Sequence, residues 1–200
     1  MMRVASLLLI VLLSACAGQS TEPSYYLLRS DQAMTSRALD PSTQYVLDQI
    51  TIAPYLNQNG LILETSTGEM RTARYHRWSE PLYEGIRIFL MTEISHAKGE
   101  DILMGKIEEA DASINVRIDQ LHGTNDGRAR LVAYWWLQKG SEIEAAYQFA
   151  EYRDLGEDGY DALARAEKAL LSDLAGRIAA TLVATDSASI AGTLAEKQVR

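Results

Sequence analysis

The sequence is poor in residues that stabilise a fold covalently or through a metal. It has one cysteine and three histidines among 200 residues. One thiol forms no disulfide within the chain, and no Cys and His spacing matches a zinc site. No apolar run reaches the roughly 20 residues of a membrane-spanning helix. These absences argue against a disulfide scaffold, a zinc-stabilised domain and a permanent transmembrane helix.

Positive charge is also scarce. Lys and Arg total 19 against 27 Asp and Glu, which gives a formal net charge of -8. A chain with this charge is repelled by nucleic-acid phosphates and by anionic lipid headgroups. Hydrophobic residues make up 47% of the composition, which is ordinary for a globular core, and the length suits one compact domain. We therefore expect a single folded domain that binds no nucleic acid.

Catalytic motifs are the third absence. His76, His96 and His122 stand far apart in the sequence and form no HxH or HExxH pattern. The glycine patterns that bind nucleotide phosphates are missing as well. Acidic residues cluster at 108–111, before a predicted strand, and at 157–161, where they suit the N-terminus of a predicted helix. We predict no catalytic residue, no metal and no cofactor.

What is present begins with an export signal. Arg3 supplies a positive charge, and a short aliphatic run follows it. This pattern is typical of a secretory signal peptide. The letters LSAC at 13–16 resemble the bacterial lipobox, in which the cysteine thiol is acylated and the cysteine becomes the mature N-terminus. Because more than one acyl chain gives stable anchoring, we predict a signal peptide over 1–15 and lipidation of Cys16.

A polar tether follows the cysteine. Residues 16–24 are mostly small and polar with one proline, which is typical of a spacer between a membrane and a domain. Lipoproteins of Gram-negative bacteria that stay at the inner membrane have an aspartate after the cysteine, and Ala17 departs from that pattern. The similarity implies an address at the periplasmic face of the outer membrane. The alternative is an ordinary signal peptide in which Cys16 is incidental.

Strand periodicity predicts a sheet within a domain over residues 25–183. Strands are expected at 25–28, at 45–53 and on both sides of Gly68, where a hairpin is indicated. Alternating polarity from 112 onwards predicts a three-stranded antiparallel meander, with Asn115 on its polar face. The predicted apolar face comprises Ala112, Ile114, Val116, Ile118, Ala129, Leu131, Ala133, Trp135, Leu137, Ile143, Ala145, Tyr147 and Phe149.

Two amphipathic helices are predicted from apolar residues at three and four spacing. The first begins after Ser79 and ends before Gly99, and the second runs from Tyr160 to Leu182. Such helices and a mostly antiparallel or mixed sheet predict an α+β two-layer sandwich, with both helices packed on one face of the sheet. Residues 184–200 have scattered aliphatic side chains and are interpreted as a flexible C-terminal tail.

The middle strand of the meander carries aromatic side chains on both faces. Trp135 lies on one face, and Val132, Tyr134 and Trp136 lie on the other. Aromatic residues are favoured at protein interfaces. We expect core packing to cover both faces, and partner contact by one face is the alternative.

The segment RWSEPL, which opens the first helix, is the most distinctive in the sequence. Ser79 is expected to cap the helix, Glu80 to complement its dipole, and Pro81 to lie in the first turn. Trp78 and Tyr83 are expected to contact each other as a hydrophobic staple. A structural role therefore explains the segment well.

Several segments together resemble the PqiC (YmbA) family of ABC-type transport auxiliary lipoproteins. They are the lipobox, YYLL, ITIAPYLNQNGLIL at 50–63, RWSEPL, and LVAYWWL at 131–137. The resemblance runs from residue 25 to residue 182, but departs at NQNG, where an aspartate and a basic residue are expected, and in the acidic C-terminal half. The matching positions, interpreted as structural or partner-binding, are Pro54, Tyr55, Leu56, Arg77, Trp78, Glu80, Pro81 and Leu82.

The resemblance implies a non-catalytic outer-membrane lipoprotein that docks a periplasmic MCE-domain protein, PqiB-like, of an inner-membrane transport system. It implies a part in moving lipid or hydrophobic compounds between the membranes and in envelope integrity. Homo-oligomerisation stays open. One alternative is a lipoprotein that assists outer-membrane assembly or activates a peptidoglycan synthase. The other is a periplasmic lipid hydrolase in which Ser79, His76 and a carboxylate converge in a pocket.

Overall fold

Eight strands and two α-helices make up the part of the chain that the structure, a computed structural model, describes: residues 22–32, 44–105, 110 and 112–198. Cys16 and the acidic residues Glu108, Glu109 and Asp111 lie outside the described residues. In chain order the elements are β1 (Ser24–Tyr26), β2 (Tyr45–Ile52), a short 3₁₀ helix (Pro54–Leu56), β3 (Gly60–Glu64), β4 (Met70–Trp78), α1 (Leu82–Lys98), β5 (Leu103–Met104), β6 (Ala112–Gly123), β7 (Arg128–Lys139), β8 (Glu142–Asp154) and α2 (Tyr160–Gln198).

The strands form one mixed sheet around β6. β7 pairs antiparallel with one edge of β6, and β8 pairs antiparallel with β7. β2 lies parallel along the first part of the other edge, and β3 joins that edge where Leu63 pairs with Gly123. β4 pairs with β3, β1 with β4, and β5 with β2. The predicted hairpin around Gly68 and the predicted meander are confirmed.

Both helices pack on one face of this sheet and against each other. The predicted apolar faces are buried, with Phe89 and Ile94 of α1 and Leu171 and Leu174 of α2 all 0% exposed. Gly99 caps the C-terminus of α1, and its φ of 81° lies in the left-handed region that glycine adopts without strain. The α+β two-layer sandwich is confirmed. Neither described helix has the length and apolarity to cross a membrane.

The start of α1 differs from the prediction. Ser79 does not cap the helix, because the N-cap residue is Pro81, which makes no side-chain cap hydrogen bond. The backbone N–H of Ser79 instead donates to the carbonyl of Tyr26 at 2.8 Å. Glu80 precedes the helix, and the acidic residue in the first turn is Glu84. The backbone N–H of Ser79 therefore extends the pairing with β1 and does not contact the helix terminus.

The end of α2 also differs from the prediction. The helix continues through Gln198, whereas the sequence predicts that it ends near Leu182. The Tyr45 hydroxyl donates to Oδ1 of Asp186 at 2.7 Å, and Nζ of Lys98 lies 3.0 Å from Oδ2 of the same carboxylate. These contacts stabilise a turn of α2 beyond Leu182, and hydrophobic periodicity could not predict them because both partners of Asp186 are distant in sequence.

The two faces of the meander are covered unequally. Leu131 and Trp135 face the helices and are at most 3% exposed. On the opposite face Tyr134 is 38% exposed, so the expectation that core packing covers both faces is wrong for this residue. Asn115, predicted on the polar face, is only 3% exposed because it lies opposite the large side chain of Trp136.

β8 is covered least among the three strands of the meander. Of its predicted apolar face, Phe149 is buried, Ala145 and Tyr147 are half-buried, and Ile143 is 62% exposed. A register shift places Ile143 opposite Gln138, which belongs to the face that points away from the helices. The prediction for Ile143 is therefore wrong, since one bulge moves a strand residue to the other face.

Candidate functional site

β1 pairs with the end of β4 and is the first strand after the predicted tether. The pairing is parallel, with Tyr25 opposite Arg77 and Tyr26 opposite Trp78. The hydrogen bond from Ser79 to Tyr26 continues this pairing beyond the end of β4. The RWSEPL segment therefore pairs with β1, the strand that follows the predicted membrane anchor.

An ion pair connects the chain after β1 to the segment before α1. The Arg29 guanidinium donates two hydrogen bonds to the Glu80 carboxylate, one of them from Nη2 to Oε2 at 2.8 Å. Bidentate pairs of this kind are strong and geometrically specific. Hydrogen bonding to Arg29 lowers the pKa of Glu80, and the same bond raises the pKa of Arg29. The side chains are 37% and 24% exposed, so solvent screens part of this attraction.

Gly85 allows the chain after β1 to approach the first turn of α1. A Cβ at this position would lie 3.2 Å from Oε1 of Glu80 and 3.3 Å from Cβ of Leu28. Leu28 is only 2% exposed, so it has little room to move away. The absence of a side chain at Gly85 thus allows the chain around Leu28 to pack closely against α1.

A cluster of rings surrounds Tyr26. The Tyr26 hydroxyl lies 2.8 Å from Nδ1 of His76 and donates a hydrogen bond to Oδ1 of Asp161. Burial, together with this bond to Asp161, raises the pKa of Tyr26 to about 12. The His76 ring stacks on Tyr160 with 4.3 Å between centroids, and the Tyr26 ring meets Trp78 edge to face at 6.4 Å. This cluster connects β1 and β4 to the start of α2.

Three of the eight family-matching residues lie in the core. Leu56, Trp78 and Leu82 are 0%, 4% and 5% exposed and belong to one hydrophobic cluster. The backbone N–H of Trp78 donates to the carbonyl of Asn59 at 2.6 Å, which brings the 3₁₀ helix and the RWSEPL segment together. The described ring contact of Trp78 is with Tyr26, and the staple between Trp78 and Tyr83 stays a prediction.

The other family-matching residues are more accessible. Pro54, Arg77 and Pro81 are exposed. Nε of Arg77 donates a hydrogen bond to the backbone carbonyl of Arg74, three residues earlier in the chain, at 2.9 Å. Glu80 is half-buried in its ion pair. Contact between this segment and a partner would therefore fall on the exposed proline and arginine side chains.

A second polar cluster, around Tyr55, lies beside β6. The Tyr55 hydroxyl accepts a hydrogen bond from the Leu121 N–H at 3.3 Å and lies 3.0 Å from Nδ1 of His122. Burial raises the pKa of Tyr55 to about 12 and lowers that of His122, which is 4% exposed. Nε2 of His122 lies 3.5 Å from Oε2 of Glu64 but makes no hydrogen bond with a described residue. The neutral imidazole is therefore favoured here.

Glu167 is a buried carboxyl on α2. It is 1% exposed, and its Oε1 has no hydrogen-bond partner in the described part of the chain. Burial raises the pKa of this carboxyl to about 8, so it is mostly protonated at neutral pH. The sequence contains a signal for this position, since Glu167 stands four residues from both Leu163 and Leu171 on the apolar stripe.

The pairing of the other residues of the site has no local sequence signal. Arg29 and Glu80 are 51 residues apart in the chain, and Tyr26 and Asp161 are 135 apart. Pattern reasoning works over a few neighbouring positions, so it could not join these pairs.

The chemistry that these clusters offer is hydrogen bonding that holds the domain together. Across residues 22–32, 44–105, 110 and 112–198, no group of three or more His, Cys, Asp or Glu side chains could hold a metal ion. The described bond of Ser79 uses its backbone N–H, while His76 contacts Tyr26 and Tyr160. Among the described contacts, none joins Ser79 to His76, whereas the hydrolase alternative requires these two side chains to converge with a carboxylate.

The fold and the site together define a two-layer α+β domain that is held closely to its own N-terminal segment. The model of the family described as "ABC-type transport auxiliary lipoprotein component" matches residues 25–179. The chain belongs to this family. The family resemblance seen in RWSEPL and the other segments within 25–179 is thereby confirmed.

Individual relatives agree with this assignment. The chain is 24% identical over 170 residues to the intermembrane transport lipoprotein PqiC of Escherichia coli (strain K12). The aligned region covers 84% of this chain and 90% of that protein. The PqiC of Shigella flexneri gives the same values.

Two solved structures share the fold. An uncharacterised protein superposes with a TM-score of 0.68 at 22% identity, over 80% of this chain and 99% of the other. A Xanthomonas campestris protein superposes with a TM-score of 0.67 at 14% identity, over 83% and 99%. At these identities the likeness concerns the fold only.

Proposed function

We propose that this protein is the outer-membrane lipoprotein subunit of an intermembrane transport system and that it acts there without catalysis. Acyl chains on Cys16 hold it at the periplasmic face of the outer membrane, and the folded domain docks a periplasmic MCE-domain protein of the PqiB type. The cargo is lipid or another hydrophobic compound, and the system supports envelope integrity. Family membership and the name of the PqiC relatives support this proposal.

The observation that carries the proposal is the way in which the first strand is held. β1 begins at Ser24, where the predicted tether ends. It is held by pairing with β4, by the Arg29–Glu80 ion pair and by the hydrogen bonds of Tyr26. A force applied through the tether would therefore be shared among the strand pairing, the ion pair and the hydrogen bonds. This is the arrangement that we expect of a domain that must keep its place while a partner presses against it.

The proposed docking surface includes the exposed side chains beside this strand. Arg77 and Pro81 are exposed next to β1, and Pro54 is exposed in the 3₁₀ helix. A guanidinium group gives directional contacts to carboxylates and backbone carbonyls, and arginine is enriched at protein interfaces. These side chains contribute little to the core, so they are free to serve a partner.

The lipid anchor is tested by Cys16→Ser in cells. We expect the variant to remain uncleaved, to take up no labelled fatty acid and to leave the outer-membrane fraction. Normal processing with unchanged fractionation would contradict the lipidation proposal.

The docking partner is tested by site-specific photo-crosslinking in membranes. We expect a crosslinker at Arg77 to capture the MCE-domain protein, whereas one at Lys139, exposed at the end of β7, serves as a control. Capture of a β-barrel protein or a peptidoglycan synthase from Arg77 would favour the assembly or synthase alternative instead.

A further inference from the structure

The sheet ends at β8, whose outer edge has no strand partner among the described residues. β8 is 13 residues long and contains no proline. Its central stretch AAYQFA, at 145–150, carries no charge. Proteins usually protect an exposed edge with charges, proline or short strands, because unpaired backbone groups template the addition of another strand. The middle of β8 lacks these protections.

A groove separates this edge from α2. Two adjoining depressions of about 470 Å³ each lie there, and both are lined by Phe149, Glu151 and Arg177. They therefore form one continuous channel along the helix. Trp135 and Tyr147 line one end of it, with their rings stacked at 5.1 Å between centroids. The channel thus has aromatic walls on its sheet side.

The helix side of the groove consists of small residues. Ser172, Gly176, Ala180 and Ala184 line it at a spacing of four, which places them on one face of α2. A Cβ added to Gly176 would meet nothing within 4 Å. The groove is therefore open space beside β8, of the kind that the inward side chains of a further strand would fill.

Acidic side chains stand at both ends of β8. Glu142 and Glu144 lie at one end and Glu151 and Asp154 at the other, whereas the positive charge of Arg153 is paired with Asp173. Arg177 is the cation that lines both depressions. β8 itself carries four acidic residues against Arg153, so the balance of charge along this strand is negative. A second copy of the chain would bring the same acidic ends together, and like charges on adjacent strands destabilise their pairing.

We propose that β8 and this groove form a strand-addition site for an extended segment of a partner protein that carries lysine or arginine. Backbone hydrogen bonds to β8 supply affinity, alternate apolar side chains enter the groove, and basic side chains meet the acidic ends of the edge. The site lies on a different edge of the sheet from β1. It goes beyond the proposed function, because it requires an extended basic segment and no transport system.

A peptide-binding experiment with the full chain in detergent micelles tests this site. The probe is a fluorescent peptide of alternating valine and lysine, about as long as β8, and binding is measured by anisotropy at low salt. We expect the peptide to bind. A version with alternate backbone nitrogens methylated should bind at least about tenfold more weakly, because it cannot complete the strand pairing. A valine and glutamate version should also bind at least about tenfold more weakly.

A matched pair of variants locates the binding. Ala180→Leu places a bulky side chain in the groove and should weaken binding about tenfold or more. Ala97→Leu makes the same change at an exposed position of α1 and should leave binding unchanged. Both positions are exposed helix residues, so both variants should fold.

Four results would overturn the proposal. The first is absence of binding by every peptide, the second is equal binding of the methylated peptide, and the third is equal effects of the two leucine variants. The fourth is self-association that Ala180→Leu abolishes in sedimentation, which would identify a second copy as the occupant. Failure of the Arg77 crosslink, with peptide binding intact, would remove only the transport proposal.

Discussion

Two of the outer edges of the sheet, at β1 and at β8, are built in opposite ways. The edge of β4 is covered by β1, and polar contacts from Arg29 and Tyr26 hold β1 in place. The edge of β8 is long and open, and it faces a groove lined by small helix residues such as Ala180. The contrast indicates that one edge is occupied by the strand that follows the predicted tether, while the other has no strand partner among the described residues.

The largest effect that tests this contrast is expected at the covered edge, for Trp78→Ala. Trp78 is 4% exposed and contacts Tyr26, so the variant should lose about 3–5 kcal/mol of unfolding free energy. Urea denaturation of the purified protein measures this loss. Trp136→Ala, which removes a half-buried ring from the sheet face opposite the helices, should cost less. If the Trp78 variant is stable but no longer binds the partner protein, Trp78 acts in partner binding and not in the core.

Glu167→Gln tests whether a buried group between the two edges sets the pH dependence of stability. The carboxyl has a pKa of about 8 in the folded state, above the unfolded value of 4.5. Its contribution to stability is therefore fully present below pH 4.5 and is lost as the pH rises towards 8. Wild type should lose on the order of 3 kcal/mol more than the variant between pH 5 and pH 8.

Urea denaturation across that pH range measures this difference. Glu144→Gln, at an exposed carboxylate of β8, should keep the wild-type pH dependence. If Glu167→Gln also keeps the wild-type pH dependence, the buried carboxyl is not the source of that pH dependence.

A pair of glycine substitutions compares the edges directly. Gly85→Leu should destabilise the protein by about 1–3 kcal/mol, because its Cβ alone would already crowd Leu28 and Glu80. Gly176→Leu faces open space and should stabilise α2 by up to about 1 kcal/mol. Thermal unfolding of the two variants measures the opposite signs. Equal shifts would mean that the covered edge is no more tightly packed than the open one.

The smallest effect is expected for Glu80→Gln, which weakens the ion pair with Arg29. The loss should be about 0.5–1 kcal/mol at neutral pH, since both side chains are partly exposed. The pKa of Glu80 is lowered in the folded state, so the stabilisation is present above its unfolded pKa of 4.5 and is lost as the pH falls through the folded value.

Wild type and Glu80→Gln should therefore become equally stable in acid, as measured by urea denaturation at a series of pH values. Glu69→Gln, in the more exposed pair with Arg71, is the control and should change stability less. An equal loss in both variants would show that the Arg29 contact adds nothing specific to the covered edge.

The candidate site was only partly predictable from the sequence. RWSEPL correctly predicted a helix start, but it also predicted that Ser79 caps the helix, whereas Ser79 extends the pairing with β1. The local pattern fits both roles, because a serine next to a helix start satisfies either a helix terminus or an adjacent strand. Which partner it meets depends on where β1 lies, and that is a matter of long-range packing.

The sequence by itself determined the local elements and the family. Periodicity placed the buried face of α1 with Phe89 and Ile94, the turn at Gly99 and the strands of the meander, because these depend on neighbours a few residues apart. Only the tertiary structure decided which edge β1 covers, how far α2 extends, and that a groove lies open beside β8. Those outcomes rest on contacts such as Arg29–Glu80 and Tyr45–Asp186, whose partners come together only after the sheet and helices have packed.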